Sequence, residues 1–254
     1  MNNTQSNIKV FITGASSGIG EYVAYEYAKQ GATIGLAARR KKALERVSAK
    51  CEELGGKPII FEVDVSNQTS TKNAIDNFIA KSGGIDIVIA NAGISGKVDL
   101  DNGDSTEMNR MLSTNILGVT NTVIPALPKM IEQQSGRIAV VSSIAGFRGL
   151  PRRSSYSASK VAVRFMANSW RSSFVKDGIS FTTICPGFID TDMTSSHKYH
   201  MPFLMDVDIF AQKMVNAIDK KKKTYIAPWQ WRFVIPLIKA VPEWFLNFVA
   251  SNKV

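Results

Sequence analysis

Short apolar runs alternate with stretches of helical period from residue 8 to residue 184, and this alternation leaves few architectures open. The runs at 8–12, 33–37, 58–61, 85–89, 137–141 and 179–184 are rich in β-branched residues and nearly continuous in apolar character. Strands buried on both faces of a parallel sheet read this way, because neither face meets water. Amphipathic stretches at 19–29, 42–54, 69–81, 107–133 and 157–176 lie between them. Parallel neighbours require crossovers of that length, since a tight hairpin joins only antiparallel strands. Six such βα repeats predict an α/β fold, a doubly wound parallel sheet in a single domain spanning 1–254. No linker rich in Ser, Pro or Gly interrupts the series, and no internal repeat is present.

Beyond Thr191 the pattern loosens. Residues 193–205 are rich in Met, Tyr, His and Phe and predict a small lid over about 193–210. A helical period resumes at 207–218, and Tyr225, Ile226 and Ala227 suit a last strand. Within the long stretch 107–133, Pro125 and Pro128 should bend or interrupt the helix. The remaining 228–254 form a hydrophobic C-terminal extension that carries three of the four tryptophans. Lys239, Pro242 and Glu243 break it too often for the roughly 20 apolar residues of a membrane span. Three readings stand: a flap packed on its own domain or on a partner subunit, a rim for an apolar substrate, and an interfacial membrane anchor. Tryptophans beside Arg232 and Lys239 suit an anionic lipid surface. Apolar patches more often mark protein contacts, which favours the first reading.

Composition narrows the function classes. The two cysteines, Cys51 and Cys185, have no CxxC spacing, and only two histidines accompany them. A zinc site or a disulfide framework is therefore not expected, and no metal is assigned. Residues 1–7 lack the basic start and apolar stretch of a signal peptide, so a cytoplasmic location is expected. The net charge of +10 falls in local groups at 39–42, 148–153 and 220–223. No basic helix interleaved with exposed aromatics accompanies them, which argues against nucleic acid as partner.

Two motifs carry chemistry. The first strand runs into Thr13, Gly14, Ala15, Ser16, Ser17, Gly18, Ile19 and Gly20, and then directly into a helix. Glycines at such a turn let the backbone approach a pyrophosphate, whose charge then sits at the helix N-terminus, as in Rossmann-type folds. Far along the chain, Tyr156 and Lys160 are four apart and share a helix face. A free tyrosine titrates near 10, too high for easy acid–base work, and a neighbouring ammonium is expected to lower it.

Together these motifs resemble the short-chain dehydrogenase/reductase family over about 8–191. The resemblance implies that Tyr156 exchanges a proton with the substrate oxygen, while Lys160 binds the nicotinamide ribose and lowers the tyrosine pKa. It implies that Ser143 polarises the carbonyl and that Asn115 holds a water for proton relay. The cofactor contacts implied are Gly14, Ser16, Ser17, Gly18, Ile19 and Gly20 at the turn, and Asp64 and Val65 at the adenine. Asn91, Ala92 and Gly93 would close over the adenosine side, although Ala90 stands where relatives often carry asparagine. Pro186, Gly187, Ile189 and Thr191 resemble the nicotinamide carboxamide contacts, and a homo-oligomer is implied, sharing 107–133 and 157–176.

Charge argues for the cofactor's identity. An acid at the end of the second strand would bind the ribose hydroxyls of NAD and repel a phosphate there. The chain reads Leu36, Ala37, Ala38, Arg39, Arg40, with no carboxylate and two guanidinium groups suited to phosphate. NADP(H) is therefore expected as cofactor. The lid, with Phe147, Leu150 and Met193, suggests an apolar ketone or aldehyde and its alcohol. Arg148, Arg152 and Arg153 leave open a 3-oxoacyl thioester on an acidic carrier protein. A non-catalytic NADP(H)-sensing protein is a third reading, against which the full Asn–Ser–Tyr–Lys set stands.

Overall fold

The computed structural model describes residues 8–96, 98, 101–149, 153–195 and 201–242. Seven parallel strands form one sheet in the order β3-β2-β1-β4-β5-β6-β7. They are β1 (Lys9–Thr13), β2 (Thr33–Ala38), β3 (Lys57–Glu62), β4 (Ile87–Ala90), β5 (Gly136–Val141), β6 (Ile179–Pro186) and β7 (Thr224–Ala227). The helices are α1 (Gly18–Ala28), α2 (Lys41–Glu53), α3 (Gln68–Ser82), α4 (Thr106–Leu112), α5 (Gly118–Val123), α6 (Leu127–Glu132), α7 (Ser154–Ser173), α8 (Asp192–Ser195), α9 (Val207–Asp219) and α10 (Trp231–Ala240). The Rossmann-type, doubly wound sheet read from the apolar runs is thus present, with a seventh strand at its edge.

Alternation along β1 explains the two cores. Val10 and Ile12 face one side, where Tyr27, Leu44 and Phe210 cover the sheet. Phe11 faces the other, among Phe78, Val123, Val163 and Phe181. Phe11, Phe61 and Phe78 meet with ring centroids 5.5–6.2 Å apart. Such pairs add about 0.5–1.5 kcal/mol each beyond the area they bury.

Two elements differ from the sequence reading. The fourth strand begins at Ile87, because Ile85 and Asp86 serve as connection. The stretch 107–133 is not one helix: a π turn over Ser113–Leu117 and a 3₁₀ turn over Ile124–Ala126 divide it. Pro125 accounts for the second break, since it has no N–H for the helix ladder. The π turn has no such marker in the sequence, and it carries Asn115. Of the expected lid, 196–200 lie outside the described residues, as do 243–254 of the extension, Leu150 and Arg152.

Candidate active site

The strand order reverses between β1 and β4, and the C-terminal ends of the strands open there on a cleft of about 310 Å³. The glycine turn after β1 forms its floor. Gly14 and Gly18 have φ of +68° and +55°, a conformation costly for other residues. A methyl group at Gly20 would lie 2.3 Å from the Gly14 carbonyl oxygen, so helix α1 starts hard against the turn. The Ser17 side chain makes no capping bond to α1, and Gly18 and Ile19 line the cleft. A cradle open to the helix N-terminus fits an anionic pyrophosphate.

Two flanking loops hold this turn. The Asn91 amide donates to the carbonyls of Thr13 and Gly14 at 3.0 and 3.3 Å. The Thr13 hydroxyl donates to Ile89 O and accepts from the N–H groups of Asn91 and Ala92. Asn91 therefore positions the turn as well as lining the cleft. Thr13 was missed by sequence reasoning, although a threonine at the strand's last position was in view.

Arg39 and Arg40 diverge. Arg40 donates to the hydroxyls of Ser16 and Ser17 at 3.1 and 2.7 Å. Arg39 lies 3.7 Å from the Asp64 carboxylate and is more than half exposed. Burial pushes the Asp64 pKa up, but hydrogen bonds from Ser66 and the charge of Arg39 outweigh it and hold it below the usual range. Arg39, Arg40, Ser16, Ser17, Asp64 and Val65 all line this part of the cleft.

At the other end stand Ser143, Tyr156 and Lys160. Ser143 follows β5 with extended backbone and accepts from the Ala145 N–H at 3.1 Å, which fixes its hydroxyl at the cleft wall. Tyr156 and Lys160 lie one turn apart on α7, with the ammonium 5.7 Å from the ring centre. Lys160 is buried and donates to Val141 O at 2.9 Å, while Ser142 donates to Lys160 O at 2.7 Å. Burial pushes the Lys160 pKa down to about 8.

The expected lowering of the Tyr156 pKa is overturned here. Burial raises it, and the hydrogen bond from Ser143 and the charge of Arg153 only partly oppose that. The sequence spacing reveals the ammonium one turn away but not the low-dielectric wall around both groups.

A stability consequence follows from the buried ammonium. Below pH 8 the folded chain must hold a charge away from water; between about 8 and the unfolded value of 10.5 it sheds that charge first. This group's contribution to stability therefore rises with pH across that window. Replacing it with the uncharged Lys160→Met should give a melting-temperature change that is more favourable at pH 7 than at pH 10. Calorimetry at both pH values checks the sign.

Asn115 and Gly20 stand behind the cleft wall rather than on it. The Asn115 amide donates to Ile94 O at 2.9 Å and Ser159 Oγ at 3.0 Å, and its carbonyl accepts from Ile94 N–H at 2.8 Å. Both of its side-chain N–H groups are thus committed to protein acceptors, tying the Gly93 loop to α7. Ser159 is a second residue the sequence reading passed over.

Pro186 ends β6 and Gly187 follows it, and a methyl group at Gly187 would lie 2.4 Å from the Trp231 indole nitrogen. Trp231 is buried and meets Phe188 and Phe203 edge-on at 5.8 and 5.9 Å. Ile189 and Thr191 line the cleft, and Ile189 pairs with Met205 across the lid. Arg148 donates to the carbonyls of Ile238 and Lys239 at the end of α10, and Lys239 lies 5.3 Å from the Phe147 ring. The start of the extension is therefore packed on its own domain beside the cleft, as the first reading of the tail held.

The chain matches, over residues 9–201, a family described as short chain dehydrogenase. It is 32% identical to an uncharacterized oxidoreductase of Myxococcus xanthus, covering 91% of this chain and 92% of that one. It is 36% identical to an 11-beta-hydroxysteroid dehydrogenase-like protein of Arabidopsis thaliana, covering 94% of this chain and 80% of the relative. A short-chain type dehydrogenase/reductase from Mycobacterium marinum superposes with a TM-score of 0.81 at 27% identity, over 87% of this chain and 94% of that one. A short chain dehydrogenase from Mycobacterium paratuberculosis, solved bound to NAD, superposes at 0.78 and 25% identity, over 86% and 94%. With its sheet order, glycine turn and Tyr156–Lys160 pair on one cleft, the chain belongs to the short-chain dehydrogenase/reductase family of oxidoreductases.

Proposed function

We propose that this chain is an NADPH-preferring oxidoreductase that interconverts a carbonyl and an alcohol on an apolar small molecule. The observation that carries the reading is a single cleft lined by the glycine turn at one end and by Ser143, Tyr156 and Lys160 at the other. The nicotinamide group, when bound, supplies or accepts the hydride. In reduction Ser143 donates a hydrogen bond to the carbonyl oxygen, and Tyr156 gives that oxygen its hydroxyl proton. Lys160 binds the ribose hydroxyls, and Pro186, Gly187, Ile189 and Thr191 form the wall beside the carboxamide. Met193, at the cleft rim and about half exposed, suits an apolar substrate. NADPH oxidation measured over a panel of apolar ketones and aldehydes tests the reading; no turnover with any of them would sink it.

Phosphate selection is assigned to Arg39 and Arg40 with the hydroxyls of Ser16 and Ser17, which together edge one end of the cleft. Hydrogen bonds to a charged group contribute about 1.5–3 kcal/mol each. Arg39→Ala with Ala38→Asp deletes one attraction and adds a repulsion, so it should move the NADPH-to-NADH ratio of kcat/KM toward NADH by about a hundredfold. A parent enzyme that already uses NADH as well as NADPH would refute the assignment.

A ketoacyl reductase of a Nostoc species is 32% identical over 85% of this chain, which keeps a carrier-linked thioester in view as a second substrate class. Arg148 is committed to α10 carbonyls, which argues against its serving an acidic carrier. Comparing carrier-linked with free ketones separates the two. The assembly proposed is a homo-oligomer built on α7 and on α5 with the turns that flank it, where Phe165, Leu117 and Ile124 are exposed. Light scattering at micromolar concentration should find more than a monomer, and Phe165→Glu should shift it toward one. Two buried free cysteines fit the reducing cytoplasm as its compartment.

A further inference from the structure

The outer face of α10 is apolar where a surface helix is normally polar. Phe233 and Leu237 are four apart on that face and Trp229, in the turn just before the helix, extends it; the three are 67%, 69% and 62% exposed. Trp229 and Phe233 meet edge to face at 6.0 Å and form one ridge. The opposite face is already engaged, since Trp231 and Ile235 are buried in the domain. Arg232 and Lys239 are exposed and, about two turns apart, lie along the seam between the faces. From residue 220 to 242 the chain carries six cations and no carboxylate.

We propose that this face of α10 docks on an anionic lipid surface. Trp229, Phe233 and Leu237 enter the boundary between headgroups and acyl chains, a depth of about 5–10 Å, and Arg232 and Lys239 meet the anionic headgroups. Charge decides against a second copy as occupant. An isologous contact would set Arg232 and Lys239 of each subunit among the same cations of the other, with Glu243 the one carboxylate between residues 220 and 254 to pair them. No helix among the described residues is long and apolar enough to cross a membrane, so the attachment is to a surface. Phe203 packs on Trp231, and Arg148 and Lys239 tie α10 to the Phe147 loop that follows Ser143. Docking therefore sets the cleft rim beside the bilayer. Delivery of an apolar carbonyl from lipid to that rim rests on the function proposed above; the docking itself does not.

The test uses the full chain and vesicles of phosphatidylcholine with and without phosphatidylserine, with sedimentation as the readout. The parent should sediment with the phosphatidylserine vesicles, and less so as salt rises. Phe233→Ser with Leu237→Ser should cut the bound fraction about tenfold at an unchanged melting temperature. Arg232→Gln with Lys239→Gln should remove the preference for phosphatidylserine, while Ile209→Ser, at an exposed apolar residue of α9, should change nothing. Failure of the parent to sediment, or full binding by the Phe233→Ser/Leu237→Ser chain, overturns the proposal. So does light scattering without vesicles in which that double variant dissociates an oligomer, because the face would then be a subunit contact. Turnover of a water-soluble ketone, measured separately, should be the same in parent and double variant. Its absence in both would sink the proposed activity and leave the docking result standing.

Discussion

Tyr156→Phe should lower carbonyl reduction by about 10²–10⁴-fold, the span ordinarily supplied by a positioned acid or base. The ring keeps its place beside Lys160, and only the hydroxyl that meets Ser143 is lost. Cofactor binding should therefore stay near the parent value, so the loss falls on kcat. The direction of the pH effect follows from burial. On the proposed mechanism Tyr156 must be protonated to reduce a carbonyl and ionised to oxidise an alcohol, and burial holds its pKa above the ordinary value. Reduction should persist through neutral pH and fall only on the alkaline side, while oxidation rises there. Stopped-flow and steady-state rates for both directions check this. Turnover retained in the phenylalanine variant would remove Tyr156 from the chemistry.

Gly20→Ala should be the most damaging of the small substitutions in the glycine turn. Its methyl group would fall 2.3 Å from the Gly14 carbonyl oxygen and 2.6 Å from the Asn91 amide nitrogen. The first is backbone and the second a side-chain amide held by hydrogen bonds to Thr13 and Gly14, so strand end, turn and helix start must separate. A cost of about 3 kcal/mol is expected, which lowers the melting temperature of a domain this size by about 6–12 °C. Nicotinamide-cofactor affinity should fall with it, because Ser16 and Ser17 move with the turn. Gly149→Ala, whose added methyl meets nothing within 4 Å, is the control and should change stability by less than about 0.5 kcal/mol. Equal melting temperatures for the two variants would contradict the packing account.

The sequence made legible whatever depends on local period or on residue type at short spacing. Near-continuous apolar runs marked buried strands, and Tyr156 and Lys160 declared a shared helix face because they are four apart. What it hid depends on contacts between distant segments. Arg40 reaching Ser16 and Ser17, and Trp231 seated on Gly187, arise only once the sheet has brought those loops together. The direction of the Tyr156 shift was hidden for the same reason, since burial comes from several elements at once. The π turn was invisible because Ser113, Thr114, Asn115, Ile116 and Leu117 suit an ordinary helix; the extra residue per turn is held by Ile94 and Ser159 from outside.

That wide turn also sets a rule for changes of chain length. A π turn holds one residue more than the α-helix that would otherwise fill the same stretch. Deleting a residue there would not break the helix; it would let the segment heal into a regular one. The flanking helices keep their register, because the residue removed is the one the wide turn had accommodated. What is lost is the place of Asn115, which the tighter turn draws off Ile94 and Ser159, while Val119, Thr122 and Val123 stay in the core. The same loss inside α4 or α5 would rotate one flank by about 100° against the other. Descendants of this chain should therefore tolerate a one-residue gap at Ser113–Leu117 with the interior intact and the support of the cleft weakened, before they tolerate one in the helices on either side.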